Sequence, residues 1–304
     1  MGVRNLIQYK KGISTMMDEK ILPDVQNAED TRGVTLNKVG ITDVDYPMYI
    51  QSKTGQPVLV YAKINLFTSL VHSVKGTNMS RLMEVITKWE HKTIGPVNLK
   101  DFLTEIRDVA RSKDAYAEIR FQYFLKKETP VTKLPTSSSY DCMFTGHVNR
   151  KGSYKVLVGA KVLATSVCPC SKEMSLVDRQ KGAGRGAHNQ RSEITISLES
   201  SQTHDLFFED IIPLVEKQGS CEIYNLLKRP DEKYVTEQGY LNPKFVEDIA
   251  RDVAKTLQGQ VQGIKWFKVK VENFESIHRH NACAYVMRGL KGGKWVKSGR
   301  TFRE

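Results

Sequence analysis

The chain has 304 residues, of which 40% are hydrophobic and 26% charged, an ordinary globular composition that excludes wholesale disorder. Its 46 Lys and Arg outnumber 34 Asp and Glu, and the formal charge of +12 favours anionic partners such as nucleic acid, acidic membrane or a phosphorylated small molecule. No apolar run reaches the roughly 18 residues of a membrane span. Because residues 1–10 also lack the apolar stretch of a signal peptide, we expect a cytoplasmic protein.

The first half of the chain is interpreted as an arm followed by strands and a helix pair. Residues 1–50 show no sustained hydrophobic period, which is typical of an arm. Beyond it, alternation of apolar residues predicts strands, and apolar residues at helical spacing predict helices. The predicted elements are a strand over 57–74, helices beginning near Asn78 and Asn98, and strands over 115–125 and 139–148.

The second half repeats this order without obvious sequence identity to the first. Its predicted elements are strands over 154–165 and 192–198, a helix over 204–217, a helix beginning near Asn242, and strands over 264–274 and 282–287. We therefore expect an α+β fold, with antiparallel strands and helices on one face of the sheet.

These patterns predict three units and a preference for self-association. The units are an N-terminal arm (1–50), a first ββααββ module (51–150) and a second ββααββ module (151–304) that carries the site. The densest basic stretch, 288–303, is interpreted as a solvated tail. Because a four-stranded module exposes its sheet edges, pairing with a sister module or another subunit is expected, and a closed homo-oligomer is favoured.

Five cysteines, an odd number in a chain of this size, do not indicate a secreted disulfide framework. Cys168 and Cys170 form a close pair directly after a predicted strand. Their C-x-C spacing lacks zinc-finger geometry, and no second pair completes a four-thiolate site. The motif alone leaves two interpretations, an open catalytic metal site or a thiol pair without a role.

Three further segments carry residues capable of chemistry. His188 follows a glycine-rich segment that also contains Arg185 and precedes Arg191. A neutral imidazole near a thiolate suits a metal, although a lone His is more often structural. The two arginines could face phosphate or solvent.

The acidic segment 219–242, interpreted as a polar linker between helices, contains Glu222 and Glu237. Its spacing does not select the functional carboxylates. His278 and His280 stand two residues apart at a strand end. They are either acid–base groups or part of a surface turn.

Taken together, these segments resemble the type IB GTP cyclohydrolases of bacterial folate biosynthesis. The most specific part of the match is CPCSKE followed by GAHNQRS. The matching segments follow the family's order through most of the chain, and they are Leu22–Gln26, Cys168–Glu173, Gly186–Ser192, Ser220–Asp231, Val235–Glu237, Asn242–Asp248 and Glu275–His278.

The resemblance implies a fold, a reaction and a site. The implied fold is the tunnelling fold, in which paired ββααββ modules surround a symmetric barrel, with active sites between the subunits of a homo-oligomer, expected to be a tetramer. The implied reaction is hydrolysis of GTP to 7,8-dihydroneopterin triphosphate and formate, the first step of tetrahydrofolate biosynthesis. The resemblance assigns one divalent metal ion per site to Cys168, His188 and Glu222, and it assigns the binding of the base to Glu237.

The chemistry of these residue types agrees with the implied roles. Three protein ligands leave a divalent ion an open position for water, whose pKa the ion lowers towards about 7. A thiolate, an imidazole and a carboxylate suit zinc and also admit manganese or iron. A carboxylate such as Glu237 accepts two hydrogen bonds from guanine, and adenine cannot supply them. The expected catalytic residues are Cys168, Cys170, His278 and His280, and the expected triphosphate contacts are Lys172, Arg185 and Arg191.

Two other classes of function compete with this hypothesis. A tunnelling-fold nitrile reductase would use a cysteine such as Cys168 as nucleophile, with a nicotinamide as hydride donor and without a metal. A nucleic-acid-binding module would cluster its basic and aromatic residues on one face. Here the basic residues are dispersed through the sequence, so we expect no nucleic-acid partner.

Overall fold

The computed structural model of the chain describes residues 24–177, 186–201 and 204–300. Within these residues the strands form one largely antiparallel sheet with helices packed on one side, which confirms the α+β expectation. The strands are β1 Leu36–Ile50, β2 Val58–Leu70, β3 Thr93–Ile94, β4 Asp114–Glu128, β5 Pro135–Asn149, β6 Tyr154–Val167, β7 Asn189–Ser200, β8 Cys221–Glu222, β9 Ile264–Asn273, β10 Ala282–Lys291 and β11 Lys294–Lys297. The α-helices are α1 Met79–Lys88, α2 Leu99–Val109, α3 Pro169–Ser175, α4 Phe208–Glu216, α5 Arg229–Leu241 and α6 Val246–Gln260.

The sheet has the strand order β11-β10-β9-β7-β6-β5-β4-β2-β1-β3, and the short β8 pairs with β6 beside this path. Long antiparallel ladders join β4 to β5 and β6 to β7. The antiparallel β5–β6 pair connects the strands of the two halves of the chain. The two halves therefore share one continuous sheet.

Alternation along most of the long central strands separates a buried face from an open one. On β6, Tyr154, Val156 and Val158 are buried, whereas Lys155 and Lys161 are exposed on the opposite face. Burial of the apolar set against the helices fixes the register, because a shift by one residue would move that set into water.

The helices of the second half also pack on strands of the first. The Phe208 ring of α4 lies 5.3–5.8 Å, centroid to centroid, from the rings of Phe121, Tyr123 and Phe144 on β4 and β5. All four side chains are buried. The hydrophobic core is therefore continuous across the middle of the chain.

The structure corrects three of the predicted segments. Residues 36–50, assigned to the arm, form β1, whose hydrophobic period is interrupted by register shifts near Val39 and Val44. Most of the segment interpreted as a polar linker is the helix α5. The basic tail contains the end of β10 and all of β11, which pairs with β10 from Arg288 to Lys291. For the two strand segments, pairing with neighbouring strands outweighs a weak local pattern.

Asp231, in the first turn of α5, connects that helix to the loop between β4 and β5. Its carboxylate is fully buried and accepts hydrogen bonds from the backbone N–H groups of Val131, Thr132 and Lys228 at 2.8–3.0 Å and from the Thr132 hydroxyl at 2.6 Å. Burial raises the pKa of this carboxyl, but the four donors outweigh burial and hold the pKa below its usual range. The ionised form therefore stabilises the folded chain.

We expect Asp231→Asn to lower the Tm at neutral pH by more than about 5 °C, because an amide donor then faces backbone donors. A carboxyl with a depressed folded pKa contributes stability above its unfolded pKa of about 3.9, and that contribution is lost as the pH falls. The difference in Tm between the wild-type protein and Asp231→Asn should therefore become smaller below about pH 4. Thermal unfolding across acidic pH measures this, with the exposed neighbour Glu232→Gln as control. A gap independent of pH would contradict the assignment.

Candidate active site

Cys168 and His188 are brought together by the ends of two paired strands. Val167, the last residue of β6, pairs with Asn189, the first residue of β7. One residue further along, the Cys168 N–H donates to the His188 carbonyl at 3.1 Å. The Cys168 sulfur caps α3 by accepting from the Ser171 N–H at 3.4 Å. The CPCSKE and GAHNQRS motifs therefore meet because their flanking strands are neighbours in the sheet.

A cavity of about 270 Å³ opens at this point. Four of the expected site residues line it: Cys168, His188, His278 and His280. The two histidines of the β9–β10 turn stack with ring centroids 5.2 Å apart and ring planes at 12°. We refer to this space, which Ser166, Gln190, Asn273, Glu247 and Glu275 also line, as the cysteine–histidine cavity.

Glu222 lies in a neighbouring cavity of about 460 Å³, which Arg191 and Tyr224 also line. On β8, Glu222 pairs with Ala164, and Ala164 precedes Cys168 by four residues, a spacing of about 13 Å between these two positions in an extended chain. Gln190 lines both cavities and lies between them.

The Glu222 carboxylate is held by a charged group from β4. Lys127 Nζ lies 3.1 Å from Glu222 Oε2 and 2.8 Å from Glu216 Oε2, and the ammonium also lies over the ring of Tyr224. The Tyr224 hydroxyl donates to Glu222 at 3.2 Å. Lys127 therefore places one positive charge between two carboxylates.

Burial sets the electrostatics of this cluster. It raises the pKa of Glu216, and the Lys127 ammonium opposes that shift. The Tyr140 hydroxyl donates to Glu216 at 3.0 Å, and burial followed by the Glu216 charge raises the pKa of that phenol. Burial also raises the pKa of Tyr224, with the Glu222 charge adding to the effect. Both tyrosines therefore remain hydrogen-bond donors.

We expect Lys127→Met to lower the free energy of unfolding of the metal-free protein by about 3 kcal/mol, because it leaves the buried Glu216 carboxylate without its counter-charge. Urea unfolding after treatment with a chelator measures this. Lys126→Met, at the exposed neighbouring position, should change it by less than about 0.5 kcal/mol. Equal stability of the two variants would contradict a structural role for Lys127.

A family model and the curated relatives of this chain agree on one protein family. Residues 22–284 match the family model described as type I GTP cyclohydrolase folE2. The chain belongs to this family. It is 44% identical over 266 residues to GTP cyclohydrolase FolE2 of Syntrophus aciditrophicus (strain SB), a match covering 86% of this chain and 98% of that protein. It is 41% identical over 270 residues to GTP cyclohydrolase FolE2 of Azoarcus sp. (strain BH72), a match covering 88% of this chain and 95% of that protein.

The resemblance drawn from the sequence motifs is confirmed at the level of the FolE2 family, which does not favour the nitrile reductase. Among solved structures, a uricase from Bacillus fastidious aligns over 85% of this chain and 94% of its own at 8% identity, with a TM-score of 0.48. In the part of the chain that is described, no helix is long and apolar enough to cross a bilayer.

Three further residues expected from the FolE2 resemblance, all among the described ones, lie outside the cysteine–histidine cavity. Glu237 stands on α5 with 56% of its side chain exposed and pairs with Lys233 at 2.5 Å. The Lys172 ammonium donates to the Tyr240 carbonyl at 2.6 Å. Cys170 is exposed on α3. Arg185 and the Leu22–Pro23 part of the first motif lie outside the described residues.

The donor chemistry of the cysteine–histidine cavity suits the metal ion that the resemblance implies. Cys168 and His188 provide a sulfur and an imidazole, which are ligands that zinc accepts. Over the described ranges of a single protomer, no three His, Cys, Asp or Glu side chains form a group able to hold an ion. One protomer therefore brings two of the three expected ligands together, and it leaves Glu222 with Lys127.

Sequence reasoning missed the polar residues beneath and beside these two cavities. Gln190 lies within the GAHNQRS motif, and its alternation with Ser192 on β7 could have indicated an inward-facing polar pair. Lys127 carries no such signal, because it lies near the end of β4, far along the chain from its carboxylate partners Glu216 and Glu222.

Proposed function

We propose that the chain hydrolyses GTP to 7,8-dihydroneopterin triphosphate and formate, as a type IB enzyme at the first step of tetrahydrofolate biosynthesis. The observation that carries this proposal is the match of residues 22–284 to the FolE2 family. The meeting of CPCSKE, GAHNQRS and the His278–His280 turn around one cavity supports it.

Cys168, His188 and Glu222 would hold one divalent ion, with zinc, manganese and iron all compatible with these donors. When bound, such an ion supplies an activated water and polarises the bond to be broken. Cys168 and His188 already share a cavity, which supports their part of the assignment. Glu222 would have to leave its contact with the Lys127 ammonium, 3.1 Å away, to join them.

Proton transfer is assigned to His278, His280 and Cys170. The ring-opening reaction needs protons delivered to the imidazole nitrogens of guanine and moved again during rearrangement of the ribose. The two histidines line the cysteine–histidine cavity with stacked rings, and this position supports their role. Cys170 lies two residues beyond Cys168, on the exposed side of α3.

Substrate binding is assigned to Glu237 for the base and to Lys172, Arg185 and Arg191 for the triphosphate. The Glu237 carboxylate would accept hydrogen bonds from guanine N1–H and the exocyclic amine. Arg191 is exposed and lines the cavity that contains Glu222, so it is available to an anion. Glu237 is exposed on α5, as a residue that serves a neighbouring subunit's site would be.

We further propose a homo-oligomeric tunnelling fold, a tetramer of chains that each contain an N-terminal arm, a first module that begins with β1 and runs to residue 150, and a second module (151–304). The order of the elements, β1-β2-α1-β3-α2-β4-β5 followed by β6-α3-β7-α4-β8-α5-α6-β9-β10, supports a tandem arrangement. The path of the sheet ends at β3 and β11, and β3 pairs only with Tyr49 and Ile50, so most of the long strand β1 lies at an edge of the described sheet and favours pairing between chains. Active sites between subunits would explain why one protomer separates Glu222 and Glu237 from Cys168.

Formate release from GTP tests the proposed reaction. We expect purified protein to release one formate per GTP consumed, to lose this activity after treatment with a chelator, and to regain it when zinc, manganese or iron is added. ATP should release none. Turnover that survives complete removal of metal would contradict the proposal.

A further inference from the structure

The floor of the cysteine–histidine cavity is a row of hydrogen-bonded side chains that begins at His188. His188 Nδ1 lies 3.0 Å from Gln190 Oε1, and Gln190 Nε2 lies 3.1 Å from Ser166 Oγ. Asn273 Nδ2 lies 3.1 Å from the same Ser166 oxygen. Ser166, Gln190 and Asn273 are at most 8% exposed. Their polar atoms must therefore satisfy one another.

The row is anchored at two further points. Ser166 Oγ lies 2.9 Å from the carbonyl of Lys244, in the segment that leads into α6. At the far end, the hydroxyl of Ser192, which is fully buried, donates to Asn273 Oδ1. Asn273 ends β9 immediately before the turn that carries His278. One polar row therefore runs beneath His188 and the start of the histidine turn.

The Lys244 carbonyl, at one end of this row, determines which group donates and which accepts in each of the following hydrogen bonds. The Lys244 carbonyl can only accept, so the single hydroxyl proton of Ser166 points to it. Ser166 must then accept from Gln190, which turns the amide nitrogen of Gln190 towards Ser166 and its oxygen towards His188. Because that oxygen can only accept, His188 Nδ1 must carry the proton. In the neutral imidazole, the other ring nitrogen, Nε2, then carries no proton.

We propose that Gln190 is a positioning residue that holds His188 as the Nδ1–H tautomer and so reserves Nε2 for a metal ion. The inference rests on the proposed function for the presence of a metal, but the tautomer itself is a property of the metal-free chain. A metal-binding histidine is commonly oriented through a hydrogen bond from its other nitrogen. Here the acceptor is a buried amide whose own orientation is set by Ser166 and Lys244.

Nitrogen-15 NMR of histidine-labelled, metal-free protein tests the tautomer directly. Spectra are recorded at a pH of about 9, where imidazoles are neutral, and His188 is assigned by its missing signal in His188→Gln. We expect the wild-type His188 to show a protonated Nδ1 and an unprotonated Nε2. Gln190→Met, which keeps the length and removes the acceptor, should give a mixture of tautomers, whereas Gln190→Glu, which keeps an acceptor, should restore the wild-type form.

Ser192→Ala is the matched control, because it removes a hydrogen bond from the same buried row without touching the Gln190–His188 contact. It should lower stability and leave the His188 tautomer unchanged. Binding of Co²⁺, followed by its absorption bands, should weaken by about 10- to 100-fold in Gln190→Met and recover in Gln190→Glu.

The possible outcomes separate this inference from the proposed function. Identical His188 tautomers in wild type and Gln190→Met, or a wild-type His188 protonated at Nε2, would overturn the role of Gln190 even if the protein binds metal and consumes GTP. The expected tautomer change in a protein that binds none of Co²⁺, Zn²⁺, Mn²⁺ and Fe²⁺ would support the role of Gln190 in fixing the ring and would overturn the proposed metal chemistry.

Discussion

Cys168→Ala should abolish metal binding and lower GTP turnover by more than about a thousandfold. The thiolate is one of three expected ligands, and it lies with His188 on the wall of one cavity. A metal ion contributes several kcal/mol to a transition state of this kind, and each 1.4 kcal/mol is about tenfold in rate. Metal analysis of the purified variant and formate release from GTP measure the two losses.

Two other cysteines provide the comparison for this variant. Cys283→Ala, at an exposed position on β10, should keep both metal and turnover. Cys170→Ala should keep the metal and slow turnover, because Cys170 is assigned to proton transfer and not to metal binding. If Cys168→Ala retained its metal while Cys170→Ala lost it, the roles of the two thiols would have to be exchanged.

Glu237→Gln should keep the metal and lower kcat/KM for GTP by about a thousandfold. The amide presents only one acceptor to the two donors of guanine, and a site built to match such groups discriminates by several orders of magnitude when one is left unpaired. The loss should lie mainly in KM, because the metal ligands are unchanged. Steady-state kinetics with formate as readout, together with metal analysis, measure both quantities.

Lys233→Met separates substrate binding from a surface role of Glu237. The two side chains form an exposed pair one helical turn apart, and such pairs contribute only about 0.3–0.5 kcal/mol to stability. If Glu237 served only this pair, both variants would leave kcat/KM unchanged. We expect Lys233→Met to retain most of the activity, and similar small effects of the two substitutions would remove Glu237 from the substrate site.

The regular parts of the fold could be predicted because one face of most of the long central strands is buried. Ile194, Ile196 and Leu198 alternate with more exposed residues on β7, and the structure buries all three. β1 escaped prediction because register shifts near Val39 and Val44 break its period and Pro47 argues against a central strand. Pro47 is tolerated since only the last two residues of β1 pair with β3 on its other side.

Residues of the candidate site could be predicted only where they lie within a recognisable local sequence motif. Cys168 and His188 stand out in CPCSKE and GAHNQRS, and strand pairing brings the two motifs together. The partners of Glu222 could not be foreseen, because Lys127 and Glu222 are distant in sequence and meet only when β4, β6 and β8 assemble. Tertiary contacts of this kind leave no periodic signal in the sequence.

The most direct measurement is a crystal structure of the zinc-loaded protein with anomalous data at the zinc edge. We expect one peak per active site, about 2.3 Å from Cys168 Sγ and about 2.0–2.2 Å from a His188 ring nitrogen and a Glu222 oxygen. A peak without Glu222, with that carboxylate still bound to Lys127, or no peak between Cys168 and His188, would contradict the proposed metal site.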